Sequence, residues 1–526
     1  MYDVVIVGYG PVGATLAALL GELGLQVAVF DKSEEIYPKP RAVGFDHDAM
    51  RLFQRIGICD DLQPYIEPFR DELYIDSSGR EIQRITQIPE PFPLSWQPYF
   101  TCNQPAIEQA LRTGIAHMSN VSISLGTEYL KLQQLPDRVL VHLHTSDGRH
   151  VNVQCQYLIG CDGATSSIRQ QLGISLQNLD YDEPWIVVDV LVDNDILRTL
   201  PQTNVQYCIP ERPCTMICCP GNHRRWEFMQ VGSEIGGESI SHQHLWELLS
   251  PWLQPGQAKI WRAAAYRFHA LVAEEWRQNR VFLVGDSAHQ TPPFLGQGMC
   301  QGLRDAGNLA WKLHAVLSGR AHEDLLESYV VERMPHVVET TRRAIEFGLV
   351  ISELDPQRMS ERHEAILASS GGQTKVIPRE NLIPNLKAGM VDIRRPMAGC
   401  VFPQPLVDTA EQCDQLMDNL TDNAFRLVIL ANTMDPEEVA RIIPPSHIVL
   451  QVIHTSPLKE FTGLEVVDKH NTLHSWFADA GCVGAIVRPD HYVYAAVKSF
   501  IDLRQCLDSL CSRMGWSPSR DNPISG

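Results

Sequence analysis

MYDVVIVGYGPVGATLAALLGELGLQVAVFD, residues 1–31, decides how the rest of the chain is read. Val4 to Val7 is a β-branched run suited to a strand buried on both faces. Gly8, Gly10 and Gly13 follow at G-x-G-x-x-G spacing, and Val12 to Leu23 then predicts a helix. Pro11 falls in its first turn, where a missing N–H costs nothing, and Gly24 falls where a helix-ending residue belongs. Gln26 to Phe30 is a second apolar strand, closed by Asp31. Each part has a physical task. Gly8 allows a tight turn, Gly10 lets the backbone approach a pyrophosphate, and Gly13 lets helix and strand pack closely. The helix N-terminus offers free N–H groups and partial positive charge. Asp31, 18 residues beyond Gly13, is placed to accept from ribose hydroxyls. The expectation is a dinucleotide site. A glycine-rich turn without a ligand is the competing reading.

The chain of 526 residues is long enough for two or three domains. Its formal charge of −19 argues against nucleic acid or an anionic membrane surface as partner. It leaves room for a small anionic substrate, which needs only one local cation. The fourteen cysteines are scattered, with no C-x-x-C pair and no Cys/His cluster at zinc spacing, so no metal is expected. The chain starts directly on a strand and contains no run of eighteen apolar residues. A cytoplasmic protein with free thiols and no membrane span is expected.

Further along, Pro38 and Pro40 mark a loop bearing Arg41, and Asp46 is a cap for a helix ending near Gly57. Alternating residues from Phe69 to Pro98 suggest strands leaving the first domain. Val139–Thr145 and Val151–Cys155 read as a hairpin, and Tyr157 to Cys161 as a buried strand ending at Asp162-Gly163. From Asp182 to Ala265 the pattern is strand-rich and reads as a second sheet. A third apolar strand near Val281 ends at Gly285-Asp286. A Pro/Gly loop (Pro292, Pro293, Gly296, Gly298) then leads into a long helix to Leu317. Residues 356–403 read as a linker wrapping the first domain, and residues from about 404 as a small α/β unit. The expected division is 1–70 with 100–180 and 275–400 for dinucleotide binding, 71–99 with 181–274 for a β-rich substrate domain, and 404–526 for the last domain.

Three motifs thus fall on three strand ends: Gly8-x-Gly10-x-x-Gly13, Asp162-Gly163-x-x-Ser166-x-x-Arg169, and Gly285-Asp286-Ser287-Ala288-His289-x-x-Pro292-Pro293-x-x-Gly296-x-Gly298. In this order they resemble the single-component flavoprotein aromatic hydroxylases, with the fold of 4-hydroxybenzoate hydroxylase. Asp305-Ala306 and Asn308 to Leu313 continue the likeness, which covers about residues 1–400. Ser287 stands where Ala is usual and Cys300 where Asn is frequent. Tyr37 to Asp46, Arg224 to Met229, Ser475 to Phe477 and Val487 to Asp490 are similar to 3-(3-hydroxyphenyl)propionate 2-hydroxylase-like phenol monooxygenases. The last two stretches resemble a thioredoxin-like C-terminal domain. Without a C-x-x-C its expected task is packing or dimerisation, with a homodimer as the expected assembly.

The resemblance implies an α/β fold: a Rossmann-type FAD-binding domain, an inserted β-rich substrate domain and the thioredoxin-like domain. It implies FAD as cofactor, NADH or NADPH as cosubstrate, and O2 and a small phenol as substrates, with hydroxylation ortho to the phenolic OH. A 3-(3-hydroxyphenyl)propionate-type acid is the preferred phenol. Another phenol or a polycyclic aromatic is the alternative, and a flavin reductase or oxidase without oxygen insertion is the alternative of another class. Gly8, Gly10, Pro11, Val12 and Gly13 would hold the pyrophosphate, and Asp31 with Lys32 the adenosine side. Arg41 would approach the flavin. Gln104 would meet the ribityl–phosphate region, Asp162 would serve FAD and nicotinamide, and Gly285 with Asp286 would meet the ribityl chain. Pro293, Gly296, Gly298 and Met299 would face the isoalloxazine ring. Activating a phenol needs an acceptor near its OH. Candidates are His47, Tyr207, Tyr266 and His269, with Pro293 beside the ring; packing is the competing reading for each. Tyr207, Arg212, Gln230, Tyr266 and Pro293 are the substrate-binding candidates. Arg225 and Arg262 are alternatives for a substrate carboxylate, against a solvated strand face. His289 reads as structural.

Overall fold

The computed structural model describes residues 1–516 apart from 236–239, 422–423, 445–446 and 456–464; the final ten residues of the expected 404–526 unit lie outside the described residues.

The first sheet is built on Tyr2–Val7, whose last four residues are buried on both faces. It runs parallel to Val27–Phe30 on one side and to the end of His150–Gly160 on the other (Val4 opposite Val27 and Tyr157). Val281–Leu283 joins His150–Gly160, also in parallel. The helices Pro11–Glu22 and Gly298–Leu317 pack together against this sheet, with Ala14, Leu16, Leu303 and Ala306 fully buried. Gly302 makes the packing possible: a Cβ there would lie 2.5 Å from Val12. The three motif loops leave the carboxyl ends of three adjacent parallel strands. That is the crevice where open α/β sheets bind ligands.

The hairpin reading needs one correction. His150–Gly160 is a single strand that pairs first with Val139–Thr145 in antiparallel fashion and then with Tyr2–Val7 in parallel. The alternation of exposed and half-buried residues up to Gln154 gives way to continuous burial from Tyr157, because only the second half lies inside the sheet.

A second sheet, nine-stranded among the described residues, contains Glu72–Asp76, Glu81–Thr86, Leu176–Val192, Asn204–Cys208, Cys214–Cys218, His223–Met229 and Ala258–Ala273. Its two faces separate by residue parity. Trp226, Phe228, Met216 and Val188 point to one core, while Met229, Trp185 and Val187 point to the other. Residues 356–403 are more than a linker. They form the helix Pro356–Ala368 and the strand Lys375–Pro378, which extends this sheet by pairing in parallel with Glu81–Thr86. Period-two alternation in only four residues is too short to read.

Among the described residues, the C-terminal unit has its own seven-stranded sheet. Phe425–Leu430 pairs in parallel with Ile448–His454 and antiparallel with Gly484–Val487, which forms a hairpin with Val493–Val497. It is joined to the first domain by buried ions. Glu332 accepts from Lys312 and Arg488, both at 2.8 Å, and all three side chains are fully buried. Burial alone would raise the Glu332 pKa, yet Arg488 and Lys312 hold it down to about 2. A depressed acid stabilises above its unfolded pKa of about 4.5 and loses that contribution as pH falls through its folded value. The junction is therefore expected to loosen between pH 4.5 and 2, which hydrogen exchange at residues 484–497 would report.

Candidate active site

The glycine turn is shaped by close approach. Gly8 has φ +104°, and a Cβ there would sit 2.2 Å from the Cys161 carbonyl; one on Gly13 would sit 2.0 Å from the Gly8 carbonyl. Gly10 differs, since nothing lies within 4 Å of its would-be Cβ, so its face is open. Pro11 begins the helix and Gly10 caps it without a side-chain acceptor, leaving first-turn N–H groups for a ligand. Asp31 accepts from the Tyr9 N–H at 2.6 Å and from the Ser33 N–H at 2.7 Å, which brings its carboxylate under the turn. Lys32 is exposed beside it.

Two acids on the other motif loops are left with open oxygens. Asp162 accepts from the Ile168 N–H at 3.1 Å through one oxygen, and its other oxygen is buried without a partner. Asp286 takes no hydrogen bond from any described residue. It is accessible from the crevice yet surrounded by protein, which pushes its pKa up, with His289 and Arg41 pulling against that. An open glycine face, free helix N–H groups and two carboxylates with open oxygens suit a pyrophosphate with hydroxyl-bearing sugars on either side. The residues present fit FAD.

Beside the crevice is a cavity of about 190 Å³. Arg41 to Gly44 and Thr291 to Met299 form one side, and the second sheet forms the other. Gly296 has φ +62°, and a Cβ there would overlap the Tyr99 hydroxyl, which donates to the Gly296 carbonyl at 3.0 Å. Gly298 and Met299 present the N-terminus of the long helix to the cavity. Gln104 does not reach outward: its carbonyl accepts from Ala42 N–H (2.6 Å) and Arg41 N–H (3.2 Å), so it shapes the flavin-side loop.

The same loop is clamped from the second sheet. Arg225 donates to the carbonyls of Arg41 (2.7 Å) and Pro40 (2.9 Å), and Arg262 to Pro40 (3.0 Å). Asp189, fully buried, binds Arg225 at 2.7 Å, Arg262 at 3.3 Å and His223 at 2.8 Å. Burial would raise the Asp189 pKa, but Arg225 and His223 hold it far below the usual range. Arg225 and Arg262 are thus structural cations on a buried face rather than a solvated one. Asp189→Ala strands both, and a loss of about 3–5 kcal/mol in urea unfolding is expected.

The cavity's polar wall comes from residues the sequence did not single out. Thr215 donates to the Gln206 amide oxygen, and the Gln206 amide nitrogen donates to Glu72. Arg379 lies 3.8 Å from Glu72 and covers the Tyr99 ring at 3.7 Å, and its Nη1 is buried without a hydrogen-bond partner. Glu227 lies on the same face, 3.9 Å from Arg225, and its carboxyl takes no hydrogen bond from any described residue. Burial pushes its pKa up to about 7, with Arg225 pulling it down and Asp189 pushing it further up. The parity of His223–Met229, read from the buried Trp226 and Phe228, was the signal that could have found Glu227.

Several expected residues do not reach this cavity. Tyr207 is one residue out of phase with Gln206, so it points to the opposite core and accepts from Trp252 at 3.0 Å. Arg212 is paired with Glu234 and donates to the Met229 carbonyl at 3.0 Å. Gln230 lies past the strand end, its N–H bonded to Pro184 at 2.9 Å. Tyr266 is 37% exposed and tied to Arg262, and His269 faces Asp182 at 3.6 Å on the outer side. His47 starts the helix capped by Asp46, away from the cavity, and burial lowers its pKa. Pro293, Arg41, Gly296, Gly298 and Met299 are brought to it. His289 is fully buried on Asp305 (2.8 Å), which also binds Arg333 (2.8 Å), and stacks on Trp276.

Residues 1–344 match the FAD binding domain family, and residues 399–513 match the HcaD C-terminal domain. The chain belongs to the FAD-binding family of aromatic hydroxylases. It is 32% identical to the probable NADH-specific resorcinol 4-hydroxylase of Rhodococcus jostii (strain RHA1), over 98% of this chain and 96% of that one. It is 30% identical to the 3-(3-hydroxy-phenyl)propionate/3-hydroxycinnamic acid hydroxylase of Escherichia coli (strain K12), over 94% and 91%. The flavin-dependent monooxygenase PieE, solved with FAD and substrate, superposes with a TM-score of 0.82 over 98% of this chain and 99% of that one, at 19% identity. Aklavinone-11 hydroxylase, solved with FAD and aklavinone, superposes with 0.76 over 98% of each chain, at 23% identity. At such identities these two establish the fold. The likeness drawn from the three motifs is borne out.

Among the described residues, no helix is long and apolar enough to cross a membrane.

Proposed function

We propose that this chain is an FAD-dependent monooxygenase that uses NADH or NADPH and O2 to hydroxylate a single-ring phenol ortho to its OH, a 3-(3-hydroxyphenyl)propionate-type acid in the first instance. The observation that carries the reading is Glu227: a buried carboxyl that takes no hydrogen bond from any described residue, its pKa pushed up to about 7 by burial, in a cavity bounded by the flavin-side loops.

Bound FAD would supply hydride acceptance from the nicotinamide and oxygen activation. The chain's residues do the rest. Gly8 to Gly13 bind the pyrophosphate, with Asp31 and Asp286 on the sugar hydroxyls. The N-terminus of Gly298–Leu317 offers positive potential to the reduced ring. Glu227 accepts the phenolic proton through its carboxylate, raising electron density at the ring. Phe69, Phe294 and Leu295 keep water out. Arg379 Nη1 is the partner for a substrate carboxylate.

A second reading, a neutral diphenol such as resorcinol, is favoured by two carboxyl groups, Glu72 and Glu227, in one small cavity. Arg379→Met separates the two. It should raise KM for 3-(3-hydroxyphenyl)propionate about tenfold or more and leave KM for resorcinol unchanged if the acid is the substrate. Equal effects would favour the diphenol. Product analysis on a phenol panel, with NADH loss and oxygen uptake followed together, tests the activity itself.

The C-terminal unit is thioredoxin-like in this reading, supported by its strand directions: two parallel strands, then an antiparallel hairpin beside the first. Residues 1–70, 100–180 and 275–400 form the FAD domain, with Lys375–Pro378 lending an edge to the substrate domain. A cytoplasmic setting is supported by fourteen free cysteines. A homodimer is the assembly expected in light scattering.

A further inference from the structure

A second cavity, of about 870 Å³, lies between the first domain and the C-terminal unit and shares no lining residue with the flavin-side cavity. The helix Gly298–Leu317 lines the flavin-side cavity up to Met299 and this one from Trp311, roughly 18 Å further along its axis.

Five arginines line it: Arg51, Arg55, Arg320, Arg426 and Arg488. Three are matched. Arg51 and Arg426 share the carboxylate of Asp418 (3.0 and 2.7 Å), and Arg488 binds Glu332 (2.8 Å) and Asp490. Arg55 and Arg320 are not. None of the three guanidinium nitrogens of Arg55 makes a hydrogen bond, although all are shielded from solvent. Its nearest carboxylate, Glu22, is 3.7 Å away, and burial pushes Glu22 up to about 7, so that compensation is incomplete at neutral pH. Arg320 is exposed at the rim, and its side chain has no partner among the described residues. A buried cation without a hydrogen bond is costly. The local positive excess stands out in a chain of charge −19. The histidines on the wall sense it: burial lowers His314, His447 and His491, and Arg320 adds to the first two and Arg51 to the third.

One wall is aromatic. His447 stacks on Trp516 at 4.4 Å and 10°, and Phe425 meets both Trp516 and Trp311 edge-on at 5.5 and 5.6 Å. The Trp516 indole donates to the Arg320 carbonyl at 2.7 Å, which ties the aromatic wall to the unmatched cation.

We propose that this inter-domain cavity binds an organic anion that carries an aromatic ring, its charge on Arg55 and Arg320 and its ring against the Trp516 wall. Two sources share that chemistry, an adenine nucleotide and an aromatic carboxylic acid. The inference does not depend on the phenol that the flavin-side cavity takes.

Titration calorimetry of the FAD-loaded full chain with ADP, and separately with benzoate, tests it, with the flavin absorbance recorded alongside. At least one probe should bind with one-to-one stoichiometry, leave the flavin spectrum unchanged, and bind about tenfold or more weakly to Arg320→Ala and Arg55→Gln. Binding of ADP alone assigns the site to nucleotides, and of benzoate alone to aromatic acids; binding of both supports the shared chemistry. Arg320 is on the rim, so its variant carries the test if Arg55→Gln does not fold. Saturable binding by neither probe up to about 10 mM, affinity unchanged in Arg320→Ala, or a flavin spectral shift that tracks binding would overturn the proposal.

Discussion

Glu227→Gln should lower kcat for phenol hydroxylation by about 10²–10⁴-fold, the usual contribution of a positioned general base. The amide keeps the shape of the carboxyl but cannot take the phenolic proton. FAD content should be unchanged, because Glu227 lies on the second-sheet wall of a cavity that none of Gly8, Gly10 and Gly13 lines. NADH oxidation should continue, with less of it coupled to product. The pH profile separates this role from a structural one. Glu227 is protonated below its pKa of about 7 and becomes a base above it, so wild-type kcat should climb with pH through about 7. That limb should vanish in the variant. Stability moves the other way. A carboxyl whose folded pKa is raised stabilises below its unfolded value of about 4.5 and loses that contribution as pH rises through the folded one. The Gln variant lacks this loss, so above pH 7 its melting temperature should equal or exceed that of the wild type. A variant with normal kcat and an unchanged profile would remove Glu227 from the chemistry.

Gly10→Glu should give a folded, colourless protein. No atom lies within 4 Å of the position its Cβ would take, so the backbone tolerates a side chain. That side chain would occupy the open face of the turn and set a carboxylate where the pyrophosphate belongs. Loss of flavin absorbance with little change in far-UV circular dichroism is the expected result. Gly13→Ala fails differently, since its Cβ would meet the Gly8 carbonyl at 2.0 Å; there the fold itself should weaken. Retention of stoichiometric FAD in Gly10→Glu would place the cofactor elsewhere.

The cofactor half of the site was legible because backbone geometry dictates it. Tight turns and close approaches admit only glycine, and their spacing survives as a pattern. Three such patterns on three parallel strands converge by the topology of the sheet. The substrate half was not legible, because its residues are ordinary ones selected by strand parity. Tyr207 and Gln206 are neighbours in sequence and face opposite cores. Reading the phase needed the partner strands, since Asn204–Cys208 has no exposed position to mark its outer face. Arg379 was hidden in a Pro/Gly-rich stretch that resembles a connection. Arg225 and Arg262 looked like surface cations, and only a buried acid on another strand, Asp189, explains them.

An oxygen atom from O2 should end on the phenol ring. FAD-loaded protein should be incubated with NADH, 3-(3-hydroxyphenyl)propionate or resorcinol, and ¹⁸O₂, and the product analysed by mass spectrometry. One labelled hydroxyl, ortho to the original OH, is expected in proportion to NADH consumed. NADH consumption with unlabelled or unchanged phenol would contradict it and leave an oxidase.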